Sequence, residues 1–256
     1  MRLRYPNLLM LVSLVILNIV SYEASGQTFQ FQAEDFVEQQ GPSWEILNVP
    51  YTAAASGHAE RAAELIDSDG NKILEYTIDE AFGDAFIGDP SSDGGCCGDG
   101  DWIKYEFSVP ATGTWYIWAR AIAPTRAENA WHWGLDIDGS DIEAGNNDQN
   151  PSLNVWDLFE GSQFTWSSDW MWYPINSRNG PFPGLEVDQL TENRVGLEIS
   201  AGSHTWHVVD RERAYIDMFW ATMEQALNPN VNAPDVVSVE PRGKIAAKWG
   251  KIKRGF

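Results

Sequence analysis

Runs in which every second residue is apolar, cut short by Gly, Pro, Asn and Asp, constrain this chain more than any other feature. Residues 103–109 alternate throughout, with Ile103, Tyr105, Phe107 and Val109 on one side and Lys104, Glu106 and Ser108 on the other. That period of two belongs to a half-buried β-strand. Residues 110–113 (Pro-Ala-Thr-Gly) form a turn signal and residues 114–121 return as a second strand, which together read as a hairpin. Residues 131–137 place Trp131, Trp133, Leu135 and Ile137 on one face, and residues 29–34 alternate aromatic with polar. Residues 170–175, 195–199, 204–209 and 214–222 complete the strand signals, while 140–154 is a polar loop and 155–164 leaves room for a short helical turn. No helical period long enough for a core helix interrupts the body. Short strands punctuated at regular intervals predict an all-β chain folded as a two-sheet jelly-roll β-sandwich.

The two ends differ from the body. Arg2 and Arg4 precede an apolar run over 8–20, followed by the small residues Ala24, Ser25 and Gly26. This is the pattern of a signal peptide over 1–26, and the run is shorter than the ~20 residues of a membrane span. An uncleaved anchor is the alternative. A protein with this leader works outside the cytoplasm: secreted, periplasmic or surface-attached. The sandwich then occupies 27–224. Asn228, Pro229, Asn230 and Pro234 mark a linker over 225–236. In the tail, 237–256, Ile245, Trp249 and Ile252 recur at i, i+4, i+7 beside Lys244, Lys248 and Lys251. A basic amphipathic helix of this kind suits a membrane, cell-wall or sorting contact. It is equally readable as a frayed solubilising tail, since about ten residues cannot hold a helix alone.

Charge narrows the partners. The chain has 37 acidic against 17 basic residues, for a net charge of −20, and most of its lysines cluster in the tail. So acidic a body argues against nucleic acid, whose phosphates require Lys and Arg. It is compatible with neutral glycans and with calcium, which takes carboxylate and carbonyl oxygens. The 13 tryptophans are too many to hide easily in one core, and a sugar ring offers a flat apolar face for any that are exposed.

Six segments in order carry a resemblance. They are Gln32-Ala33-Glu34-Asp35, residues 100–105 (Gly-Asp-Trp-Ile-Lys-Tyr), residues 113–121, Asp136-Ile137-Asp138-Gly139, residues 201–206, and residues 211–217 (Arg-Glu-Arg-Ala-Tyr-Ile-Asp). Over 29–222 the chain resembles carbohydrate-binding modules of the type 6 and type 35 kind, which are galactose-binding-like β-jelly rolls. The resemblance implies non-catalytic binding of a polysaccharide or glycan, with a structural calcium, and the chain is expected to be a monomer. Its calcium ligands would be Gln32 and Glu34, read as sharing a strand face, together with Asp217. One amide and two carboxylate oxygens suit a hard cation, and a metal-free strand edge is the alternative.

Such modules bind sugar at the loop tips of the sandwich or on a sheet face. Trp131, directly after the loop 123–130, is the tip candidate, with Asn129, Glu128 and Arg126 as polar neighbours. Where the family often carries an Asn before the last strand, this chain has Arg211-Glu212-Arg213. Arg211 and Glu212 therefore read either as ligand contacts or as a structural ion pair. Trp102 and Trp118 either line a sheet-face site or are covered by the insertion 140–192, which has tryptophans of its own. Adjacent Cys96 and Cys97 admit a vicinal disulfide or two free or intermolecular thiols. The competing class is a small extracellular glycoside hydrolase or polysaccharide lyase on the same sandwich, or a surface-attached adhesive protein. No HExxH or GxSxG motif is present, and His204 and His207 fall on opposite strand faces.

Overall fold

The computed structural model describes residues 27–54, 69–71, 73, 75–90, 98–125, 128–145, 147–157, 167–175, 177 and 196–231. The expectations for the signal peptide, Arg126, Cys96, Cys97 and the tail lie outside the described residues, as do residues 232–236 of the linker. The strands are β1 (Thr28–Gln32), β2 (Glu38–Gln40), β3 (Glu45–Asn48), β4 (Tyr51–Ala54), β5 (Glu75–Ile78), β6 (Ala85–Gly88), β7 (Trp102–Val109), β8 (Gly113–Ala123), β9 (Ala130–Leu135), β10 (Asn154–Asp157), β11 (Ser167–Pro174), β12 (Leu197–Ile199), β13 (Gly202–Val209) and β14 (Tyr215–Thr222). No helix among the described residues is long and apolar enough to cross a membrane.

Two antiparallel sheets pack face to face. The first runs β11-β8-β14-β6-β3, with β1 also on β14 and β12 also on β8; the second runs β10-β9-β13-β7-β2. Their inward residues make one core, as the alternation requires: Ile103, Tyr105, Trp133, Trp206 and Val208 from the second sheet meet Trp115, Ile117, Ala119, Ala121 and Phe219 from the first. Large and small side chains face each other, the β8 alanines leaving room for indoles. Trp131 and Trp156 are directly paired across β9 and β10 and stack at 3.7 Å between centroids. Trp133 and Trp206 stack at 4.6 Å with their planes 6° apart. Such cross-strand neighbours are the units that stabilise a sheet.

The outer face of the first sheet is also covered. The two-stranded ribbon β4-β5 lays Ala53, Tyr76 and Ile78 over Leu47, Phe86, Ile122 and Tyr215. Gly88 in β6 admits the Tyr215 ring, which would lie 2.5 Å from a Cβ there. The strands over 38–88 carry little signal in the sequence because they are short, and β6 is buried at every residue, so it cannot alternate. Two expectations are corrected locally. Residues 154–157 form strand β10 rather than part of a helical turn, because they pair with β9. Strand β1 ends at Gln32, and Glu34 lies in a 3-10 turn (Ala33–Asp35), so the two do not share a strand face.

Candidate functional site

The tryptophans proposed to stack sugar are all inside. Trp131 is 0% exposed, Trp118 1% and Trp102 5%. Trp131 alternates in phase with Trp133, so the strand geometry that buries one buries the other; its place next to a loop does not bring it out. Trp118 packs with Trp172, Met218 and Trp220, and Trp102 lies beneath Ile142 and Leu153 with Val209 beside it. Covering by the inserted segment is thus the reading that holds for Trp102, while Trp118 is closed in by its sheet neighbours together with Phe82 and Leu227. None of the three offers a face to a pyranose ring.

At the loop end, Glu128, Asn129, Arg211 and Glu212 are brought together but turned inward, each 5% exposed or less. Arg211 Nη1 donates to Glu212 Oε1 at 2.6 Å and Arg211 Nε to Asp148 Oδ1 at 2.9 Å. Thr125 Oγ1 donates to Glu128 Oε2 at 3.1 Å, and Arg213 lies 3.9 Å from Glu128 Oε1. His132, fully buried, meets Asp148 Oδ1 at 2.8 Å and the carbonyl of Asp210 at 3.0 Å. Hydrogen bonds from His132 and Arg211 hold Asp148 well below the usual carboxylate range. The structural ion pair is therefore the reading that holds for Arg211 and Glu212. Paired, hydrogen-bonded charges are the form in which burial is tolerated.

Gln32, Glu34 and Asp217 do converge, around the turn Phe82–Asp84. A Cβ on Gly83 would lie 2.9 Å from Glu34 Oε1 and 3.0 Å from Gln32 Nε2, and the Phe82 N–H donates to Asp217 Oδ1 at 3.0 Å. The other oxygen of Asp217 is taken by Arg120. The Arg120 guanidinium also lies 4.6 Å over the Phe82 ring and 5.2 Å from that of Trp170. A guanidinium already supplies the positive charge opposite Asp217, so the set as arranged does not fit a calcium ion, which needs carboxylate oxygens free of a competing cation.

Among the described residues, the sandwich is open along one long side. Strand β1 pairs only β14 among the described strands, and β2 covers β7 no further than residues 102–104. Between these two sheet edges runs a cleft of about 880 Å³, within the ~300–1,000 Å³ usual for ligand clefts. Its apolar lining is Phe29, Phe31, Val37, Tyr105 and Phe107. Phe29 and Phe31 each stack against Phe107, at 5.2 and 5.3 Å, and all three phenylalanines are partly exposed. Around them stand Gln30, Asp35, Glu106, Ser108, Asp136 and Thr205, with no Lys or Arg among the lining residues.

His204, at one end, has Nδ1 2.6 Å from Asp136 Oδ2 and Nε2 2.8 Å from the Ser200 carbonyl. Burial works against the imidazolium, but the Asp136 and Ser200 hydrogen bonds outweigh it and its pKa stands above the ordinary value. Asp136 Oδ1 accepts the Thr205 N–H at 2.9 Å. The pair is locked, leaving neither His204 nitrogen available to move a substrate proton. The aromatic alternation of 29–31 and 105–107 is visible in the sequence. Its exposure is not, because that depends on where β2 stops.

Away from the cleft, His207 is 1% exposed, edge-on to Trp102 at 5.1 Å, and neither ring nitrogen has a hydrogen-bond partner among the described residues. Burial first, then the Lys104 charge, pushes its pKa down to about 4. Unfolding releases it to about 6.5, so the unfolded chain binds more protons between those values. The stability His207 contributes is thus complete above pH ~6.5 and is lost as pH falls toward 4, up to about 3 kcal/mol. Burial raises Asp210 and Asp217 to about 6, an effect of opposite sign: they hold protons more tightly folded, so their contribution is full below pH ~4 and declines as pH rises through 6. The difference between wild type and His207→Phe isolates the histidine. In urea unfolding, the variant should gain relative to wild type as pH drops from 7 to 5; a constant difference would mean that His207 does not titrate on unfolding.

Strand order and core define the chain as a two-sheet β-sandwich of the jelly-roll class, similar to carbohydrate-binding modules of types 6 and 35. Among solved structures it is similar to the C-terminal type 6 carbohydrate-binding module of the marine laminarinase LamC from Zobellia galactanivorans, with 11% identity and a TM-score of 0.37, covering 77% of this chain and 99% of that one. A family 35 carbohydrate-binding module from Clostridium thermocellum gives 10% and 0.35, covering 76% and 97%. A GH26-CBM35 β-(1,4)-mannanase from Podospora anserina gives 11% and 0.37 over 82% of this chain, which spans 32% of that enzyme. No protein-family model matches the sequence, and no curated protein matches it. An architecture shared at such identities leaves the ligand unspecified.

Proposed function

We propose that this is an exported, monomeric, non-catalytic carbohydrate-binding protein that takes its glycan in the open side of the sandwich rather than at a tryptophan platform. The observation that carries this reading is the cleft itself, where partly exposed phenyl rings are bordered by carboxylate, amide and hydroxyl groups. A pyranose ring has the complementary surface, with an apolar C–H face for the rings and hydroxyls that both donate and accept. The locked Asp136–His204 pair supports binding over catalysis, since a general acid or base needs a mobile proton within reach of substrate.

Affinity electrophoresis of the full chain against a polysaccharide panel tests this. Retention should fall about tenfold in Phe107→Leu, which removes a flat ring but keeps apolar volume, and the melting temperature should move by only a few degrees. Unchanged retention in a folded variant would remove the glycan from the cleft. Release of reducing ends from a retained polymer would overturn the non-catalytic assignment.

A further inference from the structure

His207 is buried with no hydrogen bond on either ring nitrogen among the described residues, a state in which native structures seldom leave a polar group. It stands on the outer face of the second sheet, in the row Gly134, His207, Lys104 across β9, β13 and β7. Its roof is the turn of residues 137–142. Ile137 lies over Gly134, where a Cβ would come within 2.4 Å of it, and a Cβ on Gly139 would lie 2.6 Å from the Trp102 ring. Ile137 and Ile142 pack in one cluster with Trp102, which itself meets His207 edge-on. The turn bonds to itself, Ser140 N–H to Asp138 Oδ1 at 2.9 Å and Ile142 N–H to the Gly139 carbonyl at 3.2 Å. Apolar contact holds it to the sheet beyond its root, Asp136, which has φ 54° and lines the cleft.

The charged groups facing His207 are Lys104 from β7, Glu38 from β2, which engages that lysine, and Asp138 from the turn; Gly134 of β9 brings none. Burial and Lys104 disfavour the imidazolium, and the two carboxylates do not make up the difference. A proton therefore needs the ring hydrated, and the turn is the one cover that is not itself a sheet strand. We infer that residues 137–142 form an acid-sensitive flap: protonation of His207 lifts the turn from the second sheet, uncovers Trp102 and loosens the rim of the cleft at Asp136. The link to the cleft rests on the glycan-binding reading above; the lifting of the turn does not.

Hydrogen exchange at the indole N–H groups of the full chain tests this. The indoles of Trp102 and Trp206 make no hydrogen bond among the described residues, so burial alone protects both, and Trp206, in the core between the sheets, is the control for pH. With His207 released from about 4 to about 6.5 on opening, exchange of Trp102 relative to Trp206 should quicken about twentyfold from pH 7 to pH 5. His207→Phe should abolish that change, and His207→Leu repeats the comparison should the larger ring not fit. Gly139→Ala, which forces Trp102 and the turn apart, should quicken Trp102 exchange already at pH 7. An unchanged ratio in wild type, or both indoles quickening together, would overturn the flap. At pH 5 the best-retained oligosaccharide, at about ten times its Kd, should slow Trp102 exchange about tenfold if it selects the closed turn. No slowing by a bound oligosaccharide would overturn the link to the cleft alone. Retention of no polysaccharide would overturn the glycan reading and the link with it, while the ligand-free exchange still decides the flap.

Discussion

Trp131→Ala should lower stability by about 3–5 kcal/mol, a fall in melting temperature of about 6–20 °C for a domain of this size. Trp131 is fully buried and stacked on Trp156, so truncation opens a cavity in the core. Trp156→Ala should cost a similar amount, and the double variant less than the two together, because each removes the same stack. Glycan retention, measured well below the melting transition, should survive in Trp131→Ala. A variant that melts like wild type but loses retention would mean that this indole faces solvent and ligand.

Arg120→Ala should be comparably severe, about 3–5 kcal/mol, because it strands a carboxylate. Asp217 is 0% exposed and keeps only the Phe82 N–H once the guanidinium is gone. Burial already pushes Asp217 up to about 6, against the pull of Arg120. Removing Arg120 raises it further, so the deficit should shrink as the pH falls and Asp217 takes up a proton. Replacing both partners, Arg120→Leu with Asp217→Asn, should recover part of the loss, since no net charge then stays buried. Wild type should unfold at nearly the same temperature with and without a calcium chelator. Loss of stability on chelation, together with a mild Arg120→Ala phenotype, would instead assign Asp217 to a metal.

Much of the architecture was legible in period-two patterning. Strands β7, β8, β9, β13 and β14 fall close to where the alternation places them, and Trp115, Trp133 and Trp206 are in the core it indicates. The site was less legible, for specific reasons. Trp131 shares its face with Trp133, so the alternation already argued for burial, and adjacency to a loop was the weaker signal. Trp102 is hidden by Ile142 and Leu153, some 40 to 50 positions away, a long-range contact that no local pattern reports. The bulge between Ile216 and Met218 shifts the phase of β14 and turns Asp217 out of the core toward Arg120. The cleft was present as aromatic residues in alternation, but it is the short reach of β2 that leaves Phe29, Phe31 and Phe107 partly exposed while Tyr105 stays buried. Where strands end decides which alternating residues are core and which are surface.

The most direct test of the cleft is the NMR spectrum of the full chain titrated with the oligosaccharide it retains best, followed at aromatic ring and indole N–H signals. Ring protons of Phe29, Phe31, Tyr105 and Phe107 should shift with ligand, while the indole N–H signals of Trp102, Trp118 and Trp131 stay in place. Shifts at those indoles with silent phenyl rings would contradict the account and return the binding site to the tryptophans.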